Sequence, residues 1–301
     1  MQTAALLWHL RELSDQPIVV SGIGLARFLP ILLLAPFGGV LADTRNRRQI
    51  LFITQTTMMA TAAALGVLTV TGQIQIWHIY LLTGLQATAL AFDLPARQSL
   101  VPNLVPREVL PSAYGMQSIA SNTGAIAGPA LSGLVIGYLG QEYAYWINAV
   151  SFLAVLIALV LMGTIPQQKS VVVEGLRGSL SSIREGAQFI LGHPIILSSM
   201  ILDFIATFFS SANTLLPFVA RDVLGVNEVA YGWLVAAQSI GAVMVGLVFS
   251  QRSRVQRQGQ LLLVAVAAFG LATVTFGLAR TYWGALLALA LVGAGDSIST
   301  I

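Results

Sequence analysis

The chain is expected to fold as an all-α, polytopic membrane protein. Of its 301 residues, 56% are hydrophobic and only 9% charged, where a soluble domain carries roughly 25% charged residues. The mean hydropathy is +0.81, and apolar runs of near-spanning length recur along the chain. A hydrocarbon core about 30 Å thick needs roughly 20 apolar residues per helical crossing. Inside it only elements that satisfy their own backbone survive, which here means helices.

The opening stretch, Thr3 to Leu10, is too short to cross before Arg11, Glu12 and Asp15 interrupt it, and reads as the tail of a helix begun upstream. Spanning runs follow at about Ile18 to Ala42, Ile50 to Thr71, Trp77 to Phe92, Ser112 to Gly137, Tyr143 to Met162, Pro194 to Pro217, Val229 to Ser250 and Leu261 to Ala279. A further run begins near Trp283 and reaches Ile301 with no polar stop, so both ends read as cut within helices.

Cytoplasmic loops collect Lys and Arg. Alternate loops here hold 11 and 3 basic residues, Arg27 lying inside a run. That asymmetry places loops 43–49, 93–111, 163–193 and 251–260 in the cytoplasm and the chain in a plasma membrane. The longest of these, 163–193, carries Leu176, Leu180, Ile183, Ala187 and Ile190 at helical spacing, an amphipathic helix lying on the membrane face. It divides the chain into an N-terminal bundle, 1–162, and a partial C-terminal bundle, 194–301.

Composition excludes much chemistry. There is no cysteine, and His9, His78 and His193 stand apart without ligand spacing, so no metal or cofactor is expected. Motifs for a zinc hydrolase, a serine esterase or a nucleotide-binding loop are missing, which argues against an enzyme. A basic arm for nucleic acid is also lacking.

Two constellations remain. Gly39 to Arg48 reads G-V-L-A-D-T-R-N-R-R between two apolar runs, with Asp43 beside Arg45, Arg47 and Arg48. A carboxylate there can accept charge-assisted hydrogen bonds, although the arginines could equally do no more than fix topology. Gly124, Gly128, Pro129, Ser132 and Gly133 form G-x-x-x-G-P-x-x-S-G in one apolar helix, small residues that permit close helix contact.

Together these resemble the signature loop and the helix 5 exporter motif of the major facilitator superfamily, and L-A-R-F-L-P at Leu25 to Pro30, F-D-L-P-A-R-Q at Phe92 to Gln98 and G-A-G-D at Gly293 to Asp296 resemble its branch containing the enterobactin exporter and macrolide-efflux-like proteins. The family pattern has Arg and Gly where this chain has Thr44 and Asn46. The resemblance implies a two-bundle fold lacking most of helix 1 and everything after part of helix 10. It also implies that Gly39, Asp43, Arg47 and Arg48 form a conformational latch, and that helices 4, 7 and 10 line a cavity.

Arg27, Asp203 and Asp296 are ionisable residues inside apolar runs, where a charge costs roughly 2.5 kcal/mol or more unless it faces protein or water. Arg27 and Asp203 lie at similar depth and could pair, as a static bridge or as part of proton coupling. Thr207 and Ser211 share a helical face with Asp203; Gln86 marks a polar stripe on helix 4, and Asp93 and Arg97 form an i,i+4 charge pair. The expected function is a proton-coupled exporter of a siderophore, macrolide or other drug-like molecule. It would work as a monomer in the lipid bilayer by alternating access. An importer or facilitator, or a non-transporting receptor or channel, are the alternatives.

Overall fold

The computed structural model describes residues 1–163, 188–194, 196–198, 200–202, 213–250 and 258–299. Among these residues there are helices and turns and no strand. The helices are α1 (Gln2–Leu13), α2 (Pro17–Thr44), α3 (Arg47–Val70), α4 (Ile76–Leu104), α5 (Leu110–Tyr138), α6 (Gln141–Leu161), α7 (Glu228–Ser250), α8 (Gln258–Leu278) and α9 (Tyr282–Ser299). Seven of them are long and apolar enough to cross a membrane, and α9 is a shorter apolar helix. Only 11% of the most apolar window of α2 is buried, so its leucines face outward, which a hydrocarbon solvent favours. The expected amphipathic helix at 175–191 falls mostly outside the described residues.

Two of the expected loops are shorter than hydropathy suggested. Loop 43–49 shrinks to Arg45 and Asn46, because Asn46 caps α3 by accepting hydrogen bonds from the backbone N–H groups of Arg48 (3.0 Å) and Gln49 (3.4 Å). Its φ of −67° is not left-handed, so capping is what it contributes to the turn. Loop 93–111 is helical as far as Leu104. Ala96 and Leu100 of that segment bury against Ala42, Ile50, Leu51 and Leu159, which hold the helix on course past Pro95 and Pro102. At the other end of α4, Gln75 and His78 form a reciprocal capping box. Gly72, at φ +67°, turns the chain from α3 toward it.

Prolines set how α2 and α4 pack. Pro30 and Pro95 have no N–H, so the carbonyls of Ala26 and Ala91, four residues earlier, lose their ordinary helical partner. Each freed carbonyl faces a glycine of the other helix: a Cβ at Gly84 would lie 3.6 Å from the Ala26 oxygen, and one at Gly38 would overlap the Ala91 oxygen. The missing side chains let backbone meet backbone, where weak Cα–H···O contacts are available. The pair α7 and α9 packs with the same intimacy, a Cβ at Gly241 or Gly293 overlapping the carbonyls of Ala290 or Gln238.

The main core gathers around α1, with Ala5, Trp8, Leu10, Ile79, Tyr145, Tyr231 and Leu234 all but inaccessible. A smaller core joins α2, α3, α4 and α6 at the inner end, where the arginine-rich turns lie. Adjacent glycines test this packing. Gly38→Val should destabilise the protein by about 1–3 kcal/mol through overpacking, whereas Gly39→Ala, with nothing within 4 Å of its Cβ, should be neutral. Thermal unfolding in detergent compares the two.

Candidate functional site

A cavity of about 410 Å³ is walled by α1, α2, α3 and α4 together with Thr214. Leu6, Leu7, Ile23, Met58, Ala87 and Leu90 make its apolar surface, and Thr3, Arg27, Thr83 and Gln86 its polar one. The Arg27 guanidinium donates to Thr3 Oγ1 at 3.3 Å. Gln86 donates to Gln2 Oε1 at 3.1 Å, and Asn148 donates to the same oxygen. Thr83 Oγ1 and Gln2 Nε2 are buried without a partner.

The structure thus brings Arg27 and Gln86 to one cavity. Asp296, on α9, is exposed and does not line it. Asp203, Thr207 and Ser211 lie outside the described residues, as does any pairing of Arg27 with Asp203.

At the inner end Arg47 and Arg48 tie α3 to its neighbours. Arg47 is buried; it donates to the Ala42 carbonyl at 3.0 Å and crosses to the Ser99 carbonyl of α4 at 3.1 Å. Arg48 donates to the Leu159 and Val160 carbonyls at 2.6 and 3.1 Å. Those are among the last carbonyls of α6, where helical donors run out, although Val160 also accepts from the Gly163 N–H at 3.4 Å, and a cation suits the negative end of the helix. Asp43 stands 3.9 Å from Arg47 and is mostly exposed. Gly39 has open space before it; Gly38 makes the close helix contact instead. Thr44 turns its hydroxyl back to the Val40 carbonyl.

Asp93 and Arg97 form an ion pair at 2.9 Å, and more than a pair. Asp93 is 2% exposed. One carboxylate oxygen accepts from Thr54 (2.9 Å) and Gln55 (2.7 Å), the other from Arg97 Nε and Nη2 (3.1 and 2.9 Å). Four donors compensate a buried charge between α3 and α4. The sequence spacing showed the Arg97 contact, but the α3 donors came from a register that hydropathy does not encode.

The helix 5 motif divides in two. Gly133 meets α7: a Cβ there would lie 2.8 Å from Gly232 Cα, and the reciprocal Cβ 2.7 Å from the Pro129 carbonyl. Gly128 packs on the backbone of Met1, while Gly124 has nothing within 4 Å.

Sequence reasoning took Arg11, Glu12 and Asp15 only as the stop of a short helix and missed the outer clamp. Arg11 forms ion pairs with Asp15 and with Asp222, the latter at 2.8 Å, and lies 4.6 Å from the Phe218 ring centroid. The hydrogen bond to Asp222 is the chief cause that raises the Arg11 pKa above its ordinary value. Glu12 accepts from Trp8 Nε1 at 2.9 Å; burial pushes its pKa up and that bond opposes the shift. His9 is buried against the Tyr145 hydroxyl at 3.0 Å. Gln141 and Tyr231 donate to the carbonyls of Ala5 and Ala4. The signal available in sequence was Gln2 and His9, seven residues apart and so on one side of an otherwise apolar stretch, with Arg11 on the opposite side.

A family profile described as transmembrane secretion effector matches residues 1–300. The chain belongs to that family, within the major facilitator superfamily. Its relatives include the multidrug efflux pump Tap of Mycolicibacterium fortuitum, 26% identical over 89% of this chain and 67% of the pump. They also include the enterobactin exporter EntS of Citrobacter koseri, 26% identical over 88% of this chain and 62% of the exporter. Across the curated relatives matched first, the chain spans 57 to 67% of their length. In fold it is similar to a bacterial homologue of the human lysosomal transporter Spinster, with a TM-score of 0.65 at 16% identity, covering 99% of this chain and 71% of that one.

The Asp93 knot yields a measurable consequence for this family member. Asp93→Ala leaves Gln55 without its acceptor and the half-exposed Arg97 without its partner, while Thr54 keeps the Leu51 carbonyl; it should cost about 1–3 kcal/mol, read as a fall in the thermal unfolding midpoint. Asp93→Asn, which keeps one carbonyl acceptor, should lose less.

Proposed function

We propose that the protein is a secondary transporter that exports a small molecule across the plasma membrane by alternating access, in exchange for protons. The observation that carries this reading is the cavity beside Arg27, walled by α1, α2, α3 and α4. Tap and EntS, relatives named for drug efflux and enterobactin export, support outward movement. A siderophore, a macrolide or another drug-like compound is the corresponding cargo.

In this mechanism residues 1–162 and 194–301 act as two bundles linked by 163–193, with the arginine-rich turns in the cytoplasm and one copy sufficient for transport. Arg47 and Arg48 make α2, α3, α4 and α6 a single body, so the signature turn acts first as a stiffener inside one bundle. Asp43, exposed beside them, is the group left to engage the other bundle as a latch. The α5–α7 glycine contact is the fulcrum between bundles. Protonation of Asp203 or Asp296 couples the cycle to the gradient, and no metal or cofactor takes part.

Expression of the full-length protein in a pump-deficient host should lower accumulation of at least one compound from a panel of siderophores, macrolides and dyes. Raised accumulation would instead establish import. With a substrate in hand, Asp296→Asn should reduce gradient-driven efflux at least tenfold, and Asp43→Asn should reduce it severalfold while leaving substrate binding intact. Full activity in the first variant removes Asp296 from coupling, and in the second it reduces the turn to a topological marker.

A further inference from the structure

Arg27 is the only ionisable side chain lining the cavity among the described residues. Its guanidinium offers five N–H donors, and among those residues its partner is a single neutral hydroxyl, Thr3 Oγ1, at the long distance of 3.3 Å. Thr83, also in the wall and 5% exposed, has a buried hydroxyl with no partner. Behind Gln86, the Gln2 carbonyl is fully engaged by Gln86 and Asn148, which leaves the Gln2 amide nitrogen buried and unpartnered. What the wall offers in excess is hydrogen-bond donors.

Carboxylates near the cavity are otherwise occupied. Asp93 stands on α4 ten residues beyond Thr83, about 15 Å along the helix, and is saturated by Thr54, Gln55 and Arg97. Asp15 and Asp222 neutralise Arg11 at the outer end. A cationic guest would meet Arg27 with no described carboxylate beside it. An anionic guest would find a charge-assisted partner in Arg27, which is exposed and therefore open to it. An unpaired cation at membrane depth is costly, so its presence marks a pathway or a ligand.

We infer that the cavity takes an organic anion with an apolar body. Its anionic oxygens bind the Arg27 guanidinium within reach of Thr83, and its hydrocarbon lies against Leu6, Leu7, Ile23 and Met58. This rests on reading the cavity as the cargo site proposed above, and it narrows that cargo to one charge class. The cavity volume of about 410 Å³ suits a molecule of drug size.

The test uses two fluorescent probes that share an apolar body and differ in charge, pyrenebutyrate and pyrenebutylammonium, titrated into the purified full-length protein in a neutral detergent. The carboxylate should bind at least tenfold more tightly than the ammonium. Arg27→Gln should erase that preference, Arg27→Lys should keep part of it, and Thr83→Val should weaken the anion about threefold. Equal binding of the two probes by the unaltered protein, or preference for the cation, overturns the inference without any variant. So does an Arg27→Gln protein that stays monodisperse and retains the anion preference. Efflux measured alongside separates the two readings: efflux with no anion preference sinks only the charge class, and anion preference with no efflux sinks only the transporter.

Discussion

A backbone carbonyl in hydrocarbon has no water to turn to, and the architecture follows from meeting that constraint wherever a helix fails to meet it alone. Pro30 and Pro95 each remove a donor, and each orphaned carbonyl is covered by a glycine of the facing helix. The last carbonyls of α6 are capped by Arg48, and the Ala42 and Ser99 carbonyls are taken up by Arg47. Glycine serves within the spanning helices, where backbone can approach backbone. Arginine serves at the inner edge, where its long side chain can reach around a helix end.

Charges obey the same logic by depth. Asp93 is buried and fully compensated, so it contributes structure and little free electrostatic potential. Arg27 faces open volume with one weak partner among the described residues, so its potential is directed into the cavity. Two ionisable residues in similarly apolar runs thus have opposite uses, and the difference lies in their neighbours across helices.

Fold class and helix positions were legible because hydrocarbon selects for length and apolarity, which sequence displays directly. The placement of Arg27 and Gln86 on one cavity followed from the cost of burying charge and from periodicity. What escaped was set by backbone geometry: that Gly38 and not Gly39 makes the contact, that α4 runs on to Leu104, and that Asn46 caps a two-residue turn. The outer clamp escaped for another reason. A polar residue at the end of an apolar run looks like a boundary, and only the position of Asp222, more than two hundred residues away, turns Arg11 into an interior contact.

That separation has a consequence for how the molecule comes into being. The partners of α1 lie at sequence distances of 136 for Tyr145, 211 for Asp222 and 227 for Tyr231. During synthesis α1 is made before these partners, so Gln2, His9 and Arg11 lack them until the ribosome has delivered α6 and α7. Their polarity keeps the first helix poorly suited to settling alone in lipid, which holds it available for the late arrivals. With nine of its twelve residues buried, α1 is the keystone of the assembly, set after the elements that it locks.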